Sequence, residues 1–450
     1  MLNKILLTFL ILGSAHAADI DSAPPSIGKS VRGKNAVFVD FKKATYNITI
    51  NKASKKAYAK SVIEFTSFDT GTPIFDLVSS IVKAKIDGVE VDIQAIKAPT
   101  WKTSFKTTKS VISPGNHTLE IEHNLSNGVK FDYSGVSVGF FMSDLGDRNF
   151  LEKYLPTNLE YDHYKMNIVL NFTNTTSRLV QANGTVKSLG KNSWEIDYPA
   201  YFTTSSVYLH SFPDLGIRKL EWVHTASDGR KIPATVYTKS SRVRPDNFKR
   251  NTIKYLKELD RDYGPFPHNK IIVYGVGPMN GGMEHCGATI TSERALGHEL
   301  THSYFARSVM PKNGNSGWVD EAIASWRDSR YKRLSSTTFA GSNMGKHSPY
   351  RRTTDKKAYK QGRDFLAHLD YLLRNKKGLR YYLNEFHQRF QHSSVSTKDF
   401  ADFLKFQSGE NFDKLFEKYI WGGTSPILGL EDFSNPNHPK LSEAQLKALL

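Results

Sequence analysis

His298-Glu299-Leu300-Thr301-His302, followed after eighteen residues by Glu321 within Trp318-Val319-Asp320-Glu321-Ala322, is the stretch on which the reading of this chain turns. Residues four apart on a helix lie one above the other, so both imidazoles can reach a single metal ion. Glu299 lies beside them, close to the metal but too poorly directed to be a third ligand. Small and apolar residues from Ala295 to Ala306 surround the pentapeptide, as a buried helix requires. Trp318 to Asp328 predicts a second helix with Glu321, Ser325 and Asp328 on one face. Glu321 can complete the ligand set. Asp328 can accept the second ring N–H of a ligating imidazole. Two His and one Glu leave one tetrahedral position open, which marks a catalytic rather than a structural zinc. The expectation is one Zn2+ per chain and hydrolytic chemistry on peptides.

Further elements stand in order around this pair. Upstream is Gly281-Gly282-Met283-Glu284-His285, and downstream Tyr359-Lys360-Gln361-Gly362. The second helix reads Trp318-Val319-Asp320-Glu321-Ala322-Ile323-Ala324-Ser325-Trp326, and Asp262-Tyr263-Gly264-Pro265-Phe266-Pro267 precedes a predicted strand at Lys270 to Tyr274. Together they resemble the aminopeptidase N family, a branch of the gluzincin zinc metallopeptidases. The Gly-x-Met-Glu-Asn, Tyr-Glu-Lys-Gly and Trp-x-Asn-Glu-Gly-x-Ala-Ser-Tyr elements of that family match these stretches in order.

The resemblance implies a fold and a set of roles. The fold is multi-domain, an N-terminal all-β domain followed by a mainly α (α+β) thermolysin-like catalytic domain. His298, His302 and Glu321 are the implied zinc ligands. Glu299 is the base that takes a proton from the attacking water and returns it to the leaving amine. Tyr359 is the implied donor to the oxyanion, and Gly281, Gly282, Met283 and Glu284 the implied substrate-binding element. Glu284 would hold the free α-amine of a substrate, while the two glycines would let its backbone approach. Two departures bear on this element: His285 replaces the family's Asn, and Ala322 a Gly. The family's second amine-binding side chain is not evident in the β domain.

Composition sets the surroundings. Lys4, the apolar run Ile5 to Gly13, and Ser14-Ala15-His16-Ala17 form a secretory signal with cleavage expected before Ala18, so the mature chain is expected in the periplasm or outside the cell. No stretch is long and apolar enough to span a bilayer. Cys286 is the sole cysteine, which excludes an intramolecular disulfide and suggests a partly buried bystander rather than a ligand. The net charge of +17 favours anionic surfaces or acidic peptides. The basic residues are scattered and no nucleic-acid module is present, so nucleic acid is not an expected partner.

The expected division is a signal peptide at 1–17, a β domain at 18–215, a metallopeptidase domain at 216–428 and a short tail at 429–450. Strand-like runs at Ala36–Phe41, Thr45–Asn51, Leu119–His123, Val136–Phe141 and Met166–Phe172 support the β domain. Asn-x-Ser/Thr sequons at Asn47, Asn116, Asn124, Asn171, Asn174 and Asn183 are expected on exposed strands or loops. Helical periodicity begins at Asn247–Tyr263 and recurs at Gln361–Asn375, Tyr381–Gln391, Thr397–Gln407 and Asn411–Tyr419. Trp421-Gly422-Gly423-Thr424-Ser425-Pro426 resembles the end of the family's catalytic domain. A short form without the family's large C-terminal helical domain is therefore expected, with a more open cleft.

Aminopeptidase action on peptides is the leading expectation. An open-cleft zinc endopeptidase on the same scaffold is one alternative, and a non-catalytic relative that binds envelope polymers or a partner is the other.

Overall fold

The computed structural model describes residues 29–31, 34–96, 104–125, 127–133, 135–142, 150–175, 178–277, 281–346 and 354–423. The expected signal segment at 1–17 and tail at 429–450 lie outside the described residues.

The N-terminal part is built from strands because β-branched and aromatic residues alternate with polar ones. Along Asp40–Asn51, Ala44, Tyr46, Ile48 and Ile50 are buried, whereas Lys43 and Thr49 are exposed. Ile48 and Ile50 each contribute roughly 1.5–3 kcal/mol on burial, opposed by the entropy of ordering the chain. Asp40–Asn51 pairs antiparallel with Lys56–Ser67 and parallel with Lys165–Thr173 at the centre of an eight-stranded sheet. A five-stranded and a four-stranded sheet complete this part. Three of the five expected strand runs lie within strands, Thr45–Asn51 in Asp40–Asn51, Leu119–His123 in Gly115–Asn124 and Met166–Phe172 in Lys165–Thr173. Ala36–Phe41 is divided between Lys34–Phe38 and Asp40–Asn51, and Val136–Phe141 runs past the end of Gly135–Gly139.

The C-terminal part opens with a mixed five-stranded sheet, in the order Arg218–Thr225, Lys231–Thr238, Ile271–Gly275, Ala288–Thr291 and Gly282–His285. Sequence reasoning assigned one strand here, at Lys270–Tyr274. The others are four to eight residues long and two of them form a glycine-flanked hairpin, too short for periodicity to declare itself. Helix α1, Pro245–Tyr263, begins with proline at its first turn, where no amide donor is needed. Its Phe248, Thr252, Leu256, Leu259 and Tyr263 form one buried stripe.

Helices α2 (Leu296–His302) and α3 (Trp318–Asp328) follow, then α4 (Arg363–Leu372), α5 (Leu379–Phe390), α6 (Thr397–Ser408) and α7 (Asp413–Tyr419). One continuous core joins α1 to α7, with Trp318 and Trp326 among its largest fully buried side chains. Helices α2 and α3 cross closely at Gly297, where a β-carbon would lie 2.4 Å from Arg327 Nη1. Arg327 in turn holds Glu258 of α1 through two bonds of 2.9 Å. α1, α2 and α3 are thereby locked in register.

The two parts meet through buried polar contacts. Asn183 is buried, with its amide donating to Ser206 O at 2.7 Å and Cys286 O at 2.8 Å. This corrects the expectation of an exposed sequon there: the side chain is a structural tie. Lys270 Nζ donates to Ala182 O at 2.9 Å and Gly184 O at 2.6 Å. Among the described residues no helix is long and apolar enough to cross a membrane.

Several histidines are sealed into this frame. Burial pushes His210, His285 and His387 down to about 3 and His392 to about 4. Unfolding returns each to an ordinary value near 6.5. The unfolded chain therefore binds more protons below that pH, and stability is lost as pH falls from 6.5 towards 4, by up to about 1.4 kcal/mol per pH unit for each histidine. The melting temperature at pH 5 is expected to lie about 10 °C or more below that at pH 7. A flat profile in a circular-dichroism melt series would contradict this burial.

Candidate active site

α2 is short, but the one turn that matters is well held. Thr301 Oγ1 donates back to Gly297 O at 2.8 Å, and Leu300 and His302 face the interior. His298 and His302 share a face, with ring centroids 4.8 Å apart. Across the crossing, Glu321 of α3 presents Oε2 to both: 3.3 Å from His298 Nε2 and 3.7 Å from His302 Nε2. Donors held by a tetrahedral zinc at about 2.0–2.2 Å stand about 3.3–3.6 Å from one another. Both distances to Glu321 suit such an ion, all three ligand atoms lie within 4.8 Å of one another, and the donor types are those zinc prefers.

The surrounding charges favour the same occupant. His298 Nδ1 donates to Asp328 Oδ2 at 2.8 Å, which leaves Nε2 as the nitrogen with a free lone pair. Burial pulls the His298 imidazole down, but its hydrogen bonds to Asp328 and Glu321 and the charges of Glu321 and Glu299 outweigh that and raise it to about 11. These acids demand a positive charge, and a dication supplies it while keeping the ring neutral. His302 is pushed down to about 4, chiefly by burial, and is ready to ligate.

Glu299 lies on the same helix, 4 % exposed, and lines the cleft between the two helices. Gly282 faces it so closely that a β-carbon would sit 2.6 Å from the Glu299 carboxyl carbon. Gly282 therefore serves the approach of Glu299. Gly281 has open space around it and a φ of +128°, a conformation that favours glycine. Both glycines line the cleft. Alternation along Gly282–His285 then sends Met283 and His285 to the opposite face. Met283 belongs to the core under the β sheets, so its side chain is not part of the cleft lining expected from sequence. His285 packs edge-on against Tyr208 at 5.2 Å and leaves the cleft untouched by the Asn replacement.

Glu284 does face the cleft, but it has a resident partner. Arg307 Nη2 donates to Glu284 Oε1 at 2.7 Å, both side chains being almost fully buried. Glu284, His302 and Asp320 form a second group with ligand atoms within 4.8 Å of one another. The guanidinium beside Glu284 disfavours a metal ion there. Cys286 is buried, donates to Arg307 O at 3.1 Å, and has its thiol pushed up to about 12 by burial. It is fully rather than partly buried, and it belongs to neither group of metal-type ligands.

Tyr359 sits in a π-helical turn, Ala358–Gly362, a form of backbone often found at functional sites. Its hydroxyl donates to Glu321 Oε1 at 2.7 Å and its ring lies parallel to that of His298. Gly362 closes the turn against α3: a β-carbon there would lie 2.8 Å from the Ala322 methyl. The chain thus accommodates Ala322 by keeping glycine opposite it.

Sequence reasoning missed Arg307 and Asp320, and also Arg294 and Lys356, which line the mouth of the same cleft, a cavity of about 620 Å³. A detectable signal existed for one of them: Arg307 is the lone charge in the apolar run Tyr304 to Met310.

No family model and no curated protein matches the chain. Solved structures do. An M1 zinc metallopeptidase from Deinococcus radiodurans superposes with a TM-score of 0.61 at 17% identity, over 91% of this chain and 99% of its own. The chain has the fold of the M1 zinc metallopeptidases, the family its motifs resemble. Yeast LTA4 hydrolase, solved with bestatin, has a TM-score of 0.61 at 15% identity, over 86% of this chain and 68% of its own. Legionella pneumophila aminopeptidase A, solved with aspartic acid, has a TM-score of 0.64 at 12% identity and is matched over 51% of its length.

The tautomer lock on His298 is directly testable. Asp328→Asn is expected to weaken zinc binding about 10–100-fold, read by competition with a chromogenic chelator. Unchanged affinity would remove Asp328 from the site.

Proposed function

We propose that this chain is a zinc-dependent peptidase. The observation that carries the reading is the convergence of His298 Nε2 and His302 Nε2 on one Glu321 oxygen, at 3.3 and 3.7 Å, in a cleft that Glu299 also lines. Its fold neighbours support it: one M1 zinc metallopeptidase was solved with the substrate Tyr-Ser-Ala.

His298, His302 and Glu321 would hold the zinc. When bound, zinc supplies Lewis acidity and makes water a nucleophile near neutral pH. Asp328 orients His298 and keeps its proton on Nδ1. Glu299 accepts the proton of the attacking water on its carboxylate and passes it to the leaving amine. Tyr359 donates a hydrogen bond from its hydroxyl to the oxyanion that develops on the scissile carbonyl, turning from Glu321 to do so and keeping its proton. Gly282–His285 is the edge strand of its sheet, so an extended peptide can lie alongside it. Arg294 and Lys356 at the mouth suit a substrate with acidic groups.

Removal of N-terminal residues is the reading implied by the motifs, with Glu284 as the amine anchor. A second reading, cleavage within chains, is favoured by the Glu284–Arg307 pair. A non-catalytic role is disfavoured, because the ligands, base and oxyanion donor stand together.

Glu299→Gln is expected to retain one zinc per chain and lose at least about a hundredfold in kcat. Tyr359→Phe is expected to lose about 10²–10³ in kcat with little change in KM, because its contact is made in the transition state. Fluorogenic peptides with and without a chelator give both numbers. Full turnover by Glu299→Gln would refute the mechanism.

A further inference from the structure

We propose that Arg307 is a specificity-determining residue that relieves the cleft of any requirement for a free α-ammonium on its substrate. The inference rests on the peptidase reading and deepens it, naming peptides with free or blocked N-termini alike as the substrate class.

The geometry begins with a buried carboxylate. Glu284 lines the cleft, and at this depth its charge needs a cation. In an enzyme that anchors a peptide N-terminus, the incoming ammonium is that cation. Here Arg307 Nη2 stands 2.7 Å from Glu284 Oε1, and Arg307 Nη1 donates to Ser205 Oγ at 2.5 Å. Guanidinium stays charged at any pH the protein experiences, so the demand of Glu284 is met before a substrate arrives.

The position of Arg307 is enforced. Its amide donates to His302 O at 3.0 Å, its carbonyl accepts from Cys286 Sγ, and Ser205 comes from the β part of the molecule. The preceding Ala306 is held at a φ of 117°, a costly conformation for alanine that persists only where the surroundings impose it. An ammonium entering this corner must share an already neutralised carboxylate or displace the guanidinium and leave it buried without its partner. Neither rewards a free amine. The wider charge pattern agrees: with buried Asp320 counted beside the cleft acids Glu284, Glu299, Glu321 and Asp328, a zinc ion, Arg294, Lys356 and Arg307 bring the region to neutrality before any substrate ammonium arrives.

The test uses the full zinc-loaded chain, with Glu299→Gln in the binding arm to retain zinc without turnover, and two small probes, L-leucinamide and N-acetyl-L-leucinamide, titrated by calorimetry. Their Kd values are expected to agree within about threefold, whereas an ammonium anchor worth one tenfold step corresponds to about 1.4 kcal/mol. Hydrolysis of free and acetylated fluorogenic peptides is expected to show the same indifference in kcat/KM. Arg307→Asn is expected to shift both ratios at least about tenfold towards the free amine, and Arg307→Lys to leave them near one. The wild-type ratio decides the matter even where Arg307→Asn does not fold. Tenfold or greater preference of the wild type for the free amine, erased by Glu284→Gln, would overturn the proposal. Absence of chelator-sensitive hydrolysis in both peptide sets would strike the peptidase reading instead, and the amide Kd ratio would still judge Arg307.

Discussion

The carboxylate of Glu321 is the hub on which the arrangement depends. One oxygen faces both imidazoles of α2, and the other accepts the hydroxyl of Tyr359. A single side chain thus joins α2, α3 and the π-helical turn. Such a meeting requires two helices to approach more closely than ordinary side chains permit. Gly297 allows the crossing, and the Arg327–Glu258 fork fixes it from α1. Gly362 allows the turn to reach α3 with Ala322 in place. The site is therefore a consequence of three close contacts, each made where one partner lacks a side chain or carries a rigid, paired one.

Charge is the second constraint. Three acids around His298 create a place for a dication, while a few ångströms away a buried guanidinium neutralises Glu284. The same molecule thus separates a metal-seeking group of acids from one that is already satisfied. This difference decides between the two groups of metal-type ligands that share His302.

Much of this was legible in the sequence, for identifiable reasons. The four-residue spacing of His298 and His302 and the face shared by Glu321 and Asp328 are helical geometry, and helices obey their periodicity. The β part declared itself through alternation at Ala44, Tyr46, Ile48 and Ile50. What was not legible depends on tertiary contact. The strands at Gly282–His285 and Ala288–Thr291 are too short for a pattern, so the burial of Met283 on the far face could not be foreseen. Gly282 seemed a backbone concession to substrate, whereas its neighbour is Glu299. Asn183 matched a sequon, yet its amide is spent on Ser206 and Cys286. Arg307 pairs with a residue twenty-three positions earlier, and no local rule connects them.

The most direct test of the central claim is anomalous diffraction at the zinc absorption edge from crystals of the zinc-loaded protein. The account predicts one peak, about 2.0–2.2 Å from His298 Nε2, His302 Nε2 and a Glu321 oxygen. A peak between Glu284, His302 and Asp320, or none near His298, would contradict it.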